Sequence, residues 1–213
     1  MMRCSQIRTT KLDGSVLYVA ELLHRVSNEY TNAISFASGL AATSFNDEAK
    51  AALRQVIDHL HALAGLHDVL RPPITGELVD LGESLTKLCR SMSLALFDQR
   101  GITLHLAVAE PVLLDARRCW LATLIVSELV TNAGRHAFLP DGGWVSVSLA
   151  IVPGCIVCKV SDDGSSAATF EPGFGTQLVD TLASEVNGCV KRRFSQSGTT
   201  VTLAFPKDPS SID

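Results

Sequence analysis

The chain has 213 residues, 46% of them apolar and 19% charged, the balance of an ordinary soluble globular protein with length for one large domain or two small ones. Its net charge of −4 argues against a nucleic-acid partner, whose usual footprint is a basic surplus, and the cluster Lys191-Arg192-Arg193 reads as a solvated strand end. The start, Met1-Met2-Arg3-Cys4-Ser5-Gln6, lacks the apolar core of a signal peptide. The apolar run Cys119 to Val126 is far shorter than the roughly 20 residues that cross a bilayer. No membrane insertion and a cytoplasmic location are therefore expected.

In chain order, residues 1–14 read as a tail and residues 15–72 as a helical hairpin. Apolar residues fall at Val16, Val19, Leu23, Val26, Tyr30, Ala33, Ala37 and Leu40, in alternating steps of three and four. That is the seam of packed helices. A second series, Ala49, Leu53, Val56, Leu60, Leu63, His67 and Leu70, follows after the cap-rich stretch Thr43 to Asp47. Pro72 and Pro73 stop the second helix. Ile34, Phe36, Ile57 and Leu66 widen the stripes beyond what one pair of helices can bury. A homodimer whose hairpins form a four-helix bundle is the expected solution; the alternative is that the hairpin packs on its own C-terminal domain. His24, one residue past Leu23, falls on the flank of the bundle, open to solvent.

Residues 74–206 read as a second domain, an α/β sandwich, with residues 207–213 as a tail. The spacing predicts a short strand at 77–81, a helix over 84–97, a strand over 101–108 and a long helix capped by Asp115 that runs to about Phe138. Strands at 144–151 and 155–161 flank a Pro153-Gly154 turn. A helix over 177–186 and a hairpin of 189–194 with 199–205 complete one layer of helices on one mixed sheet. The fold class is thus α plus α/β. The six cysteines show no disulfide spacing, and Cys155 and Cys158, three apart in a strand, point to opposite faces. They read as structural.

Three segments of this second domain carry chemistry. Glu128, Asn132 and Arg135 or His136 share one face of the long helix, where an acid, an amide oxygen and basic groups can hold Mg²⁺ and phosphate oxygens. Asp162-Asp163-Gly164 leaves a buried strand at a glycine turn, where a carboxylate can accept a hydrogen bond from an adenine amino group. Gly173-Phe-Gly175 opens a helix whose free N–H groups attract phosphate. No P-loop sequence occurs.

With the order of these segments, the chain resembles bacterial sensor histidine kinases over roughly residues 15–206. Glu21-Leu-Leu-His24-Arg25-Val26-Ser27-Asn28 is similar to the phosphoacceptor box of the His-Arg-Val-x-Asn subfamily, relatives of the HWE kinases. Residues 128–138 resemble the N box, Asp162-x-Gly164 the adenine-binding box and 173–179 a glycine box. The resemblance implies a dimeric phosphoacceptor bundle followed by a Bergerat-type ATP-binding domain. It implies ATP and Mg²⁺ as cofactors and a response-regulator receiver domain as partner. By the same resemblance His24 takes the phosphoryl group, Asn132 binds Mg²⁺ and Asp162 the adenine. Gly173 and Gly175 face the phosphates, and Arg135, His136, Gly164 and Thr199 complete the nucleotide site. Glu128 would orient attacking or metal-bound groups, and Glu21 and Asn28, on the face of His24, would orient its ring.

Two alternatives stand beside this. Residues 165–172 are short for an ATP lid and Ser165-Ser166 replaces an expected glycine, which fits a histidine phosphotransferase or phosphatase fed by a receiver. A non-catalytic docking module for a receiver is the other. His59 and His61 read as solvated, His67 as packed at the seam, His105 as exposed, and Trp120 and Trp144 as packing residues.

Overall fold

The computed structural model describes residues 14–73, 76–136, 142–164 and 173–208, with backbone alone at 14–20, 135 and 136. Two antiparallel helices come first, α1 (Gly14–Thr43) and α2 (Asp47–Val69). Asn46 starts the second: its Oδ1 accepts from the N–H groups of Glu48 at 2.8 Å and Ala49 at 3.1 Å, satisfying donors that the helix cannot. The helix stops before Pro72 and Pro73.

Within the hairpin, Leu23, Val26, Tyr30 and Ala33 of α1 are half-buried and Ala37 is buried, and Leu53, Leu60 and Leu63 of α2 are half-buried. The expected seam does not close along its whole length. Leu40 and Val56 remain 45% and 50% exposed, and Phe36 71%. The lower end of α2 behaves differently. Leu66 is buried in the core of the α/β sandwich that follows, with Ala62, Leu63, Val69 and Leu70 packed against that core. The hairpin therefore seats one end on its own α/β domain and leaves the other end's apolar side chains uncovered.

The rest is β1 (Leu78–Asp80), α3 (Leu81–Met92), β2 (Ile102–Val108), β3 (Leu113–Asp115), α4 (Ala116–His136), β4 (Gly143–Val152), β5 (Cys155–Asp162), α5 (Phe174–Glu185), β6 (Cys189–Ser195) and β7 (Gly198–Pro206). Five strands form one sheet in the order β2-β4-β5-β7-β6, with β2 parallel to β4 and the other pairs antiparallel. One face alternates buried Val145, Val147 and Leu149 of β4 with Ile156, Cys158 and Val160 of β5, the period of a half-buried sheet. Helices α3, α4 and α5 cover that face with Leu85, Leu88, Met92, Ile125, Val126 and Val179. This is the α plus α/β architecture expected, a mixed sheet under one helical layer.

Several differences have local causes. The helix expected to run to Phe97 changes to a π-helical turn at Ser93–Phe97 and a 3₁₀ turn at Asp98–Arg100, which lets Ala95 and Phe97 both turn inward. Strand β3 gave no sequence signal because its three residues are too few for a period; it pairs only with β1. Asp115 does cap α4, accepting from Arg118 N–H at 3.0 Å. Trp120 packs as expected and donates Nε1–H to the Leu70 carbonyl at 2.9 Å, tying α4 to the end of α2. Trp144 does not: its side chain stays exposed, because it stands on the uncovered face of β4. His105 is exposed on β2. Buried Cys158 and half-exposed Cys155 occupy opposite faces of β5. Burial pushes the Cys158 thiol up to about 12, as it does that of Cys89, so neither is a nucleophile near neutrality.

Candidate functional site

His24 lies exposed on α1. The side-chain amide of Asn28, one turn on, is 3.3 Å from His24 Nδ1. Glu21 does not share that task. Its carboxylate accepts from Arg25 Nε at 2.9 Å, because the two side chains stand at i and i+4 on a neighbouring stripe. The next turn of α1 is tied across the hairpin: Arg71, just beyond α2, donates to Ser27 Oγ at 2.9 Å and pairs with Asp68 at 3.1 Å. Tyr30 and His67 add a second tie, a hydrogen bond of 3.3 Å between hydroxyl and Nε2. No sequence pattern announced these cross-hairpin contacts, since each joins residues on different helices. The turns after His24 are thus tied to α2 while the ring stays open to solvent.

A second cluster forms where α4 meets the start of α5. Glu128 and Asn132 are half-buried on one face of α4. Gly175 lies so close that an added Cβ would overlap Glu128 Oε1 and stand 3.5 Å from Asn132 Nδ2. A side chain at 175 would push the Glu128 carboxylate out of this position. Two segments distant in sequence therefore meet at one carboxylate and one amide, hard oxygen donors of the kind Mg²⁺ accepts beside phosphate oxygens. Gly173 stands just ahead as the N-cap of α5, its carbonyl accepting from Thr176 N–H at 3.1 Å. The side chains of Arg135 and His136 lie outside the described residues.

The third cluster surrounds Asp162, buried at the end of β5. Its Oδ1 accepts from Gly164 N–H and from Thr199 N–H, each at 3.1 Å. Burial raises its pKa above the ordinary carboxylate value of 3.8, opposed by those two N–H groups. Thr199 enters through its backbone, not its hydroxyl. The preceding Gly198, at φ +129°, packs where a Cβ would collide with the Asp162 carbonyl oxygen. Gly198 was not singled out from the sequence; a glycine in the β6–β7 turn was the available signal. Asp163 instead accepts from Trp144 N–H at 2.7 Å. Among the described residues, no three His, Cys, Asp or Glu side chains gather as a metal cluster. No helix there is long and apolar enough to cross a membrane.

No protein-family model matches the chain. Its sequence is 27% identical over 197 residues to the sensor histidine kinase PdtaS of Mycobacterium tuberculosis, and 27% over 200 residues to PdtaS of Mycolicibacterium smegmatis. The sequence likeness is to sensor histidine kinases. It takes in 88% of this chain but only 39% of the relatives' length. In structure the chain is similar to the histidine kinase domain of a blue-light activated histidine kinase from Erythrobacter litoralis, with a TM-score of 0.59 at 20% identity, covering 83% of this chain and 95% of that one. It is similar to full-length ShkA in complex with AMPPNP, with a TM-score of 0.53 at 21% identity, over 89% of this chain and 45% of that one. The histidine kinase AdeS of Acinetobacter baumannii matches at TM-score 0.53 and 22% identity, over 84% and 98% of the two chains. Helices followed by a mixed α/β sandwich are thus an arrangement shared with histidine kinases.

Proposed function

We propose that this chain is the phosphoacceptor and ATP-binding part of a two-component histidine kinase, phosphorylated on His24 and passing phosphate to a response-regulator receiver aspartate. The observation that carries this reading is the meeting of Gly175 with Glu128 and Asn132, on a chain that also holds an exposed histidine steadied by an amide. Its support in comparison is the PdtaS likeness along most of the chain.

Asn132 and Glu128 would hold Mg²⁺, Gly173 and Gly175 would pass close to phosphates, and Asp162 would receive the adenine amino group. Arg135 and His136 are assigned to the same site by the resemblance alone, and Gly164 and Thr199 would join it through their N–H groups on Asp162. When bound, the nucleotide supplies the phosphoryl group and the cation spreads its charge. The chain's own part is to hold and aim. An imidazole nucleophile needs a lone pair on the attacking nitrogen and a proton on the other. Asn28 Nδ2 stands 3.3 Å from Nδ1; turned by 180°, the amide would present its carbonyl oxygen, accept Nδ1–H and leave the Nε2 lone pair facing solvent. Arg71, anchored on Ser27 and Asp68, keeps a cation one turn from the acceptor. The uncovered Phe36, Leu40 and Val56 fit a second hairpin, which would make the bundle a homodimer.

The test is incubation with γ-labelled ATP and Mg²⁺. Acid-labile, alkali-stable label is expected on the wild type and complete loss in His24→Ala; label surviving in that variant sinks the assignment. Asn132→Ala is expected to lose labelling by ATP while still accepting phosphate from a phosphorylated receiver. The short segment 165–172 favours a second reading, a phosphotransferase fed by a receiver. It predicts no ATP labelling of the wild type and full labelling from the receiver.

A further inference from the structure

A cleft of about 340 Å³ opens between α2 and the sandwich, away from the clusters around His24 and Asp162. Its floor and one wall are Leu94 to Phe97 of the π-helical turn, together with Gly134 of α4. Phe97 is 1% exposed and its ring lies where a Cβ on Gly134 would stand, so that wall is rigid. The volume is within the span of small-molecule sites, roughly 300–1,000 Å³. π-Helical turns inside helices concentrate at functional positions.

The described polar lining is one guanidinium among uncharged groups. Arg100 and Gln99 stand on the 3₁₀ turn, His59 on α2 and Thr131 on α4, and among the described residues no carboxylate lines the cleft. Among the described residues Arg100 has no ion-pair partner. His59, expected from sequence to be solvated, is half-buried, and its Nδ1 is enclosed without a hydrogen-bond partner. That is one of two such side-chain atoms among the described residues, the other being His67 Nδ1. Buried polar atoms are ordinarily satisfied. An apolar wall facing donors and one guanidinium selects a ligand with an apolar body and an anionic head, because Arg binds carboxylates in a planar, two-toothed fashion.

We propose that this cleft is a binding site for a small amphiphilic carboxylate, whose occupancy locks α2 onto the sandwich. The ligand's ring or alkyl body lies on the wall of Leu94 to Phe97 and its carboxylate on Arg100 at the mouth. Thr131 is the neighbour of Asn132, so a bound molecule touches the helix that carries the proposed Mg²⁺ ligand. The site itself is independent of any phosphoryl transfer.

The probes are 4-phenylbutyrate, its neutral amide and 4-phenylbutylamine, titrated calorimetrically into the full chain without nucleotide. The carboxylate is expected to bind about tenfold or more tighter than the amine, with the amide between. Arg100→Gln, at an exposed position, is expected to weaken the carboxylate about fivefold or more and to leave the amide unchanged. Gln99→Glu, which sets a carboxylate beside Arg100, should erase the preference. Amide hydrogen exchange in residues 59–66 and 131–134 should slow when the carboxylate is present. Equal binding of carboxylate and amine, no saturable binding at all, or a carboxylate affinity indifferent to both variants overturns the proposal. Because no ATP is used, a protein that fails as a kinase still passes or fails this test.

Discussion

The hairpin and the sandwich solve the same problem differently. The sandwich closes its own core: Leu81, Leu85, Leu88, Met92, Ile125 and Val126 are fully buried, and its sheet has one face covered by helices. Among the described residues the hairpin has only Ala37 and Leu66 buried, and Leu66 owes its burial to the sandwich. Phe36 at 71% and Phe45 at 103% exposure lie at or near the hairpin tip. Two helices present two stripes to each other and have no third layer, so side chains beside the seam stay wet unless another molecule covers them. A folded domain and a half-finished bundle therefore sit on one chain, and single substitutions should affect them in different ways.

The largest contrast is expected between Leu88→Ala and Phe36→Ser. Emptying the fully buried Leu88 site should cost about 2–5 kcal/mol in denaturant unfolding of the sandwich. Phe36→Ser should leave that transition in place and instead weaken the proposed homodimer, read as a shift toward monomer in sedimentation. An unchanged dimer would place the interface elsewhere.

Next is Gly175→Ala, in the sandwich but directed at function. The new Cβ meets the carboxyl end of Glu128 and touches Asn132 Nδ2, both ends of side chains that can shift, so the melting temperature should hold within a few degrees while nucleotide affinity falls about tenfold or more. A large loss of stability with intact binding would mean that the contact is packing alone. Asn46→Ala removes the cap of α2 and should cost about 1 kcal/mol, read as loosened hydrogen exchange at the hairpin tip with the sandwich unaffected.

The smallest effects should be those of pH, and they oppose each other. Burial lowers the pKa of His67 from its ordinary 6.5, despite the Asp68 carboxylate that raises it. Its neutral form is favoured in the folded state, so hairpin stability is full above about 6.5 and declines as the pH drops below. Asp162 has the opposite sign. With its pKa raised above 3.8 by burial, the folded state takes up the proton first, and stability rises as the pH falls from the folded value toward 3.8. Asp162→Asn should therefore flatten the acid side of the sandwich profile, and His67→Gln that of the hairpin. Parallel profiles in both variants would contradict the separation.

How much was legible in the sequence differs along the same line. The hairpin helices, their turn and the stop at Pro72 followed from spacing and caps, which are local. So did the strands from β4 onward, because alternation over several residues is itself a fold signal. β3 and the π-helical turn were invisible, one too short for a period and the other imposed by how Ala95 and Phe97 enter the core. Within the candidate site, residue types were readable and partners were not. Asn28 beside His24 followed from helix geometry, whereas the choice of Glu21 to pair with Arg25 did not. Thr199 serves Asp162 through its N–H, which no side-chain identity reveals.

By itself, the sequence determined which segments are helix or strand, which faces are apolar and which residue types stand at helix starts and strand ends. Those are short-range properties, set by backbone sterics, capping and side-chain period. Tertiary structure decided that Gly175 touches Glu128, that Gly198 presses on Asp162, that Arg71 grips Ser27 and that His59 is enclosed beside a cleft. Each of these joins residues from different elements, and their distance depends on how the layers pack, which no local pattern encodes.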